Sequence, residues 1–266
     1  MGATLVRMAP GFGVDEEELN TRLNEESIRA LRQSRSHENN IFRFYALYLR
    51  AALHGDLGVS RSLGRPVVEL FSERIPVTLR SVGLGLLGGW LFGFALALPS
   101  AMYRRWSYDL LTTALSGLFL CLPSAVLALL FLYIGGAAPW AIALVVFPYI
   151  FRYSRNLLLH TGNLPHVLTA KAKGLRGTRI LVWHVLPSAA PALLALVGVS
   201  VSMAFGAAIP IEVVCDSPGM GQLAWQAALG RDLPLLVNIT IFVTLLTLTA
   251  NSISDLAGKA IAKQPA

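Results

Sequence analysis

The residue types that carry covalent chemistry are few and scattered in this chain of 266 residues. The histidines stand at positions 37, 54, 160, 166 and 184, outside the most apolar stretches. Cys121 and Cys215 are 94 residues apart, a separation that offers neither a disulfide framework nor the spacing of a metal site. An enzyme with its site among apolar segments would need a nucleophile beside a base, or a metal cluster. We therefore expect no catalytic residue and no bound metal.

The composition predicts a membrane protein. Charged residues make up 14% of the chain and hydrophobic residues 55%, against about 25% and 45–50% in an average globular protein. Residues 1–76 hold ten basic and ten acidic residues, whereas residues 77–266 hold 12 basic and 5 acidic ones. The chain thus divides into a polar first quarter and an apolar remainder. Such a composition excludes a disordered chain and a water-soluble globule.

Five stretches are long and apolar enough to cross a bilayer, which takes about 20 residues. The predicted spans are 82–102, 111–134, 140–159, 189–211 and 234–254. Pro123 is expected to kink the second span, and a short separate helix over 67–74 is expected before the first. Arg152 and Arg155, in the last turns of the third span, are expected to reach the headgroups. The predicted fold is an all-α membrane protein with about five transmembrane helices.

The distribution of Lys and Arg predicts the orientation. With five crossings, 10 of the 12 basic residues after position 76 fall on one side of the membrane. The positive-inside rule assigns that side to the cytoplasm. The C-terminus is then cytoplasmic, and residues 1–76 form an external segment. Within this segment, residues 15–33 and 41–53 have the patterns of two amphipathic helices.

The basic loop 161–187 is the most informative stretch between two spans. Asn163 can cap a helix and Gly174 can end it, so that a helix is predicted over residues 166–173. A second helix is predicted to begin after Thr178. A solvated loop and a docking helix for a cytoplasmic partner both fit this pattern, and the spacing alone leaves the two open.

Specific residues of the loop resemble the EAA loop of ATP-binding-cassette (ABC) importer permeases. Thr169-Ala170-Lys171-Ala172-Lys173-Gly174-Leu175 is similar to its form in the peptide and nickel branch, and Leu186-Pro187 stand where that loop ends. Further stretches resemble the same branch in the same order, namely residues 55–60 with 65–67 and 74–79, residues 212–221 with 231–234, and Asn251 with Asp255. The resemblance covers about residues 5–258, and several ordered motifs are more specific than one.

The resemblance implies a function and a set of partners. Such a permease subunit forms half of a translocation pore with a second homologous permease subunit, two ATP-binding-cassette ATPase subunits on the inside and an external solute-binding protein. It implies an ATPase-coupling loop that includes Ala170, Lys171, Ala172, Lys173, Gly174, Leu175, Leu186 and Pro187. It also implies that the side facing the binding protein includes Glu212, Pro218, Gly219, Gly221 and Asp232.

The resemblance also implies the energy source, the location and the class of cargo. ATP would be bound by the partner ATPases, because this sequence has no G-x-x-x-x-G-K-[ST] motif, and no cofactor is expected in the permease. The expected location is the cell membrane, the inner or plasma membrane, as a multi-pass protein. Di- or oligopeptides are the expected cargo, with nickel or another small solute as the alternatives.

The sequence departs from the family at its start. The first transmembrane helix of the family has no counterpart here, and residues 5–11 resemble the sequence that normally follows it. Residues 1–13 are too short and too weakly apolar to export a polar segment. We therefore expect either that a first helix is missing from this sequence or that its start is set too far downstream.

A membrane scaffold without transport activity is the alternative function. Lys171 and Lys173 would then bind anionic lipid, and nucleic acid is not an expected partner because no base-reading motif accompanies them. Glu212 also has two interpretations, a gate or docking contact and an ordinary acid at the membrane interface.

The orientation can be tested at the predicted coupling loop. In a chain whose Cys121 and Cys215 are replaced by Ser, we expect Lys173→Cys to react with a membrane-impermeant maleimide only from the cytoplasmic side. Labelling of position 173 in intact cells would overturn both the orientation and the coupling role of the loop.

Overall fold

The computed structural model describes residues 57–103, 105–135 and 137–262, so the helices predicted in 15–33 and 41–53 lie outside the described residues. Regular structure in the described part is helical, apart from one isolated antiparallel bridge between Val59 and Pro66. The elements in chain order are α1 (Val67–Tyr103), α2 (Trp106–Cys121), α3 (Ser124–Tyr133), α4 (Ala138–Thr161), α5 (Pro165–Ala172), α6 (Gly177–Ile180), a π-helical turn (Leu181–Val185), α7 (Leu186–Val214), α8 (Met220–Leu229) and α9 (Leu233–Ala262).

The described residues contain four helical segments long and apolar enough to cross a membrane. These are α1, α4, the continuous run Gly177–Val214 and α9, and the bent pair α2 and α3 qualifies together as a fifth. The prediction of an all-α membrane protein with about five transmembrane helices is confirmed.

The second predicted span is broken rather than kinked. Helices α2 and α3 meet at an angle of 98°. Leu122, with φ −85° and ψ 123°, and Pro123, with φ −58° and ψ 143°, are both extended and separate the two helices. Proline has no N–H for the helical ladder, and it disfavours the helical conformation of the residue before it. Two consecutive non-helical residues change the direction of the chain far more than a kink does.

Two predicted short helices are instead parts of longer ones. Residues 67–74 form the first turns of α1, which continues through Pro76. The helix predicted after Thr178 begins at Gly177 and joins the fourth span through the π-helical turn. Because α1 continues past a proline that removes one backbone donor, proline alone did not define this boundary.

Contacts divide the described chain into two units, one formed by residues 57–72 and 226–240 and the other by residues 73–225 and 241–262. The predicted division into an external segment, 1–76, and a membrane domain, 77–266, concerns the sides of the membrane and stays a prediction. The core of the second unit forms where α7 packs on α4 and α3, and its fully buried members include Ala128, Ala141, Ile142, Val146, Ile150, Ala204 and Ile211.

Glycines on α1 allow α4 to pack closely against it. A Cβ atom on Gly85 would lie 2.7 Å from Ile142 Cγ2, and one on Gly93 would lie 2.9 Å from Ile150 Cγ2. Small residues at a helix interface let two backbones approach. The glycine-rich face of α1 therefore serves helix packing.

Substitutions at two of these glycines should differ in their effect on stability. We expect Gly85→Ala to lower the unfolding temperature in detergent, because overpacking costs about 1–3 kcal/mol. Gly83→Ala is the matched control on the same helix, since no described atom lies within 4 Å of its added Cβ. Equal unfolding temperatures for the two variants would show that the α1–α4 contact is looser than described.

Candidate functional site

Helix α5 occupies the predicted position in the basic loop. It spans Pro165–Ala172, one residue before the predicted bounds at each end. Leu164 rather than Asn163 takes the N-cap position. Pro165 stands in the first position, where a helix has no use for the missing N–H and where the fixed φ of proline fits.

The end of α5 requires glycine at position 174. Gly174 has a left-handed backbone with φ +77°. Its N–H donates to Lys171 O at 3.0 Å, and Leu175 N donates to Ala170 O at 3.4 Å. These two bonds form a Schellman turn. No described atom lies within 4 Å of a Cβ built on Gly174, so the backbone angle, and not crowding within this chain, demands glycine.

Helix α5 is attached to the helices on both sides of it. Lys171 Nζ donates to Gly162 O, after the end of α4, at 3.0 Å. His166 Nε2 lies 3.1 Å from Ser188 Oγ at the start of α7. The buried side of α5 belongs to an apolar cluster of Leu158, Val167, Ala170, Ile180, Val185 and Ala189. Helix α5 is therefore held by contacts to both α4 and α7.

The outer side of the loop is basic and partly apolar. Leu168 is half exposed, and Trp183 is 72% exposed. Of the predicted coupling residues, Ala170 is buried, Leu175 and Leu186 are half-buried, and the exposed ones are Lys171, Ala172, Lys173, Gly174 and Pro187. The structure therefore provides a short capped helix with a cationic outer side.

Glu212, near the end of α7, is a fully buried acid. Its Oε1 accepts a hydrogen bond from Thr78 Oγ1 at 2.7 Å, and its Oε2 accepts one from Gly221 N at 2.7 Å. Met220 N donates to the same Thr78 Oγ1 at 2.7 Å. Met220 and Gly221 begin α8, so Thr78 and Glu212 bond the free N–H groups of that helix's first turn.

Two glycines leave room for the Glu212 carboxyl group. A Cβ on Gly219 would overlap this group, and a Cβ on Gly221 would lie 2.6 Å from Ile209 Cα and 2.9 Å from Glu212 Oε2. Pro218 is exposed on the preceding turn. The glycines are thus required by close packing.

Asp232, fully buried just before α9, is the second acid at a helix start. Its Oδ1 accepts a hydrogen bond from Leu235 N at 3.1 Å, an N-cap contact. Its Oδ2 accepts hydrogen bonds from Ser60 Oγ at 2.6 Å and from the backbone N and Oγ of Ser62 at 3.0 and 3.1 Å. Two stretches that the sequence singled out separately, 55–60 and 231–234, therefore meet at one carboxylate.

The surroundings of Asp232 hold it in the charged form. Burial by itself raises the pKa of this carboxyl, but the hydrogen bonds from Ser60, Ser62 and Leu235 outweigh burial and keep the pKa below its ordinary value. Both carboxyl groups accept hydrogen bonds from groups of this chain. The roles of Glu212 and Asp232 towards a binding protein stay predictions.

The profile of one protein family matches residues 89–264 of this chain. Its description is "binding-protein-dependent transport system inner membrane component". The matched part includes α5 and Glu212, and it covers more than half of the sequence. The chain belongs to this family. The protein is a permease, and membership implies ATPase and binding-protein partners.

Individual relatives agree with the family. The oligopeptide transport system permease protein OppB of Haemophilus influenzae is 31% identical, with 95% of this chain and 88% of that protein covered. A Brucella suis protein, provisionally named a peptide permease, is 29% identical, with 95% of this chain and 89% of that protein covered. A chain from an inward-facing structure of the MetNI methionine ABC transporter shares the fold, with a TM-score of 0.64 at 18% identity over 72% of this chain and 96% of that chain.

These findings confirm the predicted family and fold and decide between the two predicted functions. The chain is a permease of an ABC importer and not a scaffold, and its apolar helices and family description make it a multi-pass protein of the inner membrane.

The permease contains an ion pair that the sequence analysis missed. Arg155 Nη2 lies 2.9 Å from Asp109 Oδ2, and Arg155 Nε donates to Ser100 Oγ at 2.7 Å. Ser100 Oγ in turn donates to Asp109. Arg155 therefore joins α1, α2 and α4 instead of extending to the headgroups. Its partner lies 46 residues away in the chain, so no local pattern indicated the pair.

One of two polar residues predicted near the end of the permease's last helix takes part in helix packing. Asn251 Nδ2 donates to Ser202 Oγ on α7 at 3.0 Å. A Cβ on Gly198 would lie 2.7 Å from Asn251 Oδ1, so glycine allows this approach. Asp255, one turn further along, is exposed.

The charge of Asp232 should stabilise the permease in a defined pH range. Because its folded pKa lies below the unfolded value of about 3.9, the stabilisation is complete above that pH and is lost as pH falls through the folded pKa. We expect Asp232→Asn to cost about 1.5–3 kcal/mol at pH 7 and less near pH 3. Unfolding temperatures of the unsubstituted chain and the variant at both pH values measure this difference.

Asp255→Asn is the matched control, because Asp255 is an exposed acid on α9, the helix whose start Asp232 caps. Equal losses for Asp232→Asn at pH 7 and pH 3 would contradict a role for the ionised carboxylate.

Proposed function

We propose that this permease forms half of the translocation pore of an importer for di- or oligopeptides. An external solute-binding protein delivers the peptide, and two ATP-binding-cassette ATPase subunits supply the energy. A second homologous permease subunit completes the pore. The names of the relatives from Haemophilus influenzae and Brucella suis, both peptide permeases, support the cargo.

The observation that carries this proposal is the attachment of α5. A helix that receives force from an ATPase must be well formed and must be held by the spans it moves. Helix α5 ends in a Schellman turn, contacts Gly162 through Lys171 and contacts Ser188 through His166. A flexible loop would absorb a displacement that α5 passes to α4 and α7.

In the proposed mechanism α5 inserts into a cleft of an ATPase subunit. Lys173 and Arg176 are exposed and pair with acidic groups on the rim of that cleft. Closure of the ATPase pair displaces α5, and α4 and α7 move with it. The permease carries no catalytic residue, metal or cofactor in this mechanism, and the partner subunits bind ATP.

The proposed orientation places α5 and the C-terminus in the cytoplasm and the turn between α7 and α8 outside. Exposed cations at Arg105, Arg152, Lys173 and Lys259 support it, because basic residues accumulate on the cytoplasmic side. The exposed residues Asp216 and Pro218 then face the binding protein.

Substitution of Gly174 should uncouple transport from ATP hydrolysis. Gly174→Trp places a bulky side chain on the outer side of the loop and strains the left-handed turn, so we expect peptide uptake to fall at least about tenfold with the permease still in the membrane. Gly174→Asn is the matched control, since asparagine tolerates this conformation, and it should retain most of the uptake. Uptake of a radiolabelled tripeptide and membrane abundance are measured together. Normal uptake by Gly174→Trp would contradict the coupling role.

Co-purification tests the assembly, and competition tests the cargo. The affinity-tagged permease should bring down a second permease and ATPase subunits from its native membrane. Unlabelled peptides should compete with tripeptide uptake, whereas Ni²⁺ should not. Recovery of the tagged chain alone would contradict the importer complex. Competition by Ni²⁺ and not by peptides would show that nickel, rather than a peptide, is the cargo.

A further inference from the structure

Three helices of the permease converge at the Thr78 hydroxyl. Thr78 lies on α1, donates to Glu212 on α7 and accepts from Met220 at the start of α8. Glu212 also accepts from Gly221, the second residue of α8. We call these four residues the α8 anchor. Both Thr78 and Glu212 are buried, so each bond that is lost leaves a polar group without water to replace its partner.

The α8 anchor continues to the surface through a second chain of hydrogen bonds. Gln222 Oε1 accepts from Arg74 Nη1 at 3.0 Å, and Gln222 Nε2 donates to Asp216 Oδ1 at 2.6 Å. Asp216 and Pro218 lie on the exposed turn between α7 and α8. Two sets of hydrogen bonds therefore hold the turn to α1. One set is buried and involves Thr78, and the other lies nearer the surface and involves Arg74 and Gln222.

We propose that Thr78 and Glu212 are positioning residues for docking of the external binding protein. They fix the α7–α8 turn against α1, so that the surface offered to the binding protein exists before the two proteins meet. This inference rests on the proposed function, because only an importer permease has a binding protein to receive.

A preformed surface binds more tightly than one that must first be ordered. A partner that orders a loop loses binding free energy to that ordering, which lowers the affinity. The rate of ATP hydrolysis after docking does not depend on the free energy of ordering the loop. A loosened anchor should therefore raise the amount of binding protein needed for stimulation and leave the maximal rate in place.

The test uses the complete transporter in lipid nanodiscs, with its ATPase subunits and second permease. ATP hydrolysis is measured while the purified cognate solute-binding protein, saturated with tripeptide, is added in increasing amounts. For Thr78→Val, which keeps the shape of the side chain and removes both hydroxyl bonds, we expect the half-saturating concentration to rise at least about fivefold. Thr78→Ser keeps the hydroxyl and should restore the unsubstituted value.

A second pair of variants approaches the anchor from α8. Gly219→Ala adds a methyl group against the Glu212 carboxyl group and should raise the half-saturating concentration as Thr78→Val does. Gly206→Ala is the matched control on α7, since its added Cβ meets no described atom within 4 Å. This pair keeps the test valid if Thr78→Val fails to assemble.

The outcomes separate this inference from the proposed function. An increase in the half-saturating concentration with an unchanged maximal rate, reversed by Thr78→Ser, would support the positioning role. An unchanged half-saturating concentration in Thr78→Val and Gly219→Ala, or a fall in maximal rate alone, would overturn it while the proposed function stands. Absence of any stimulation in the unsubstituted complex would overturn the proposed function itself.

Discussion

The structure depends on bonding the free N–H groups at helix starts in a chain with few polar side chains. Water does not reach these groups when they are buried, so the chain must supply acceptors of its own. It does so with Glu212 at the start of α8 and Asp232 at the start of α9. Each carboxylate also binds a hydroxyl from the segment around the start of α1, Thr78 in one case and Ser60 in the other. Two acids thereby determine the course of the chain between its last two spans.

The parts of the fold that depend on local composition could be predicted from the sequence. Long uncharged stretches give the spans, because the thickness of the bilayer fixes their length. Pro165 and Gly174 give the helix of the basic loop within one residue, because proline suits a first turn and glycine suits a left-handed end. The family motifs point to the same loop.

The remaining features depend on contacts between residues far apart in the chain. Thr78 and Glu212 are 134 residues apart, and Ser60 and Asp232 are 172 apart, so no periodicity connects them. The carboxyl group that requires the glycines at 219 and 221 comes from another helix. Pro123 predicted a kink in the second span, but the angle of 98° between α2 and α3 depends on the extended conformation of Leu122 as well.

The run Gly177–Val214 connects α5 with the start of α8. Its 38 residues rise roughly 57 Å at 1.5 Å per residue. Ser188, near one end, contacts α5, and Glu212, near the other, contacts α8. In the proposed mechanism the run tilts about the π-helical turn, and Glu212 lies roughly 40 Å from that pivot at the same rise per residue. A tilt of about 5° then carries Glu212 through roughly 3.5 Å, which is longer than the hydrogen bonds of 2.7 Å that join it to Thr78 and Gly221.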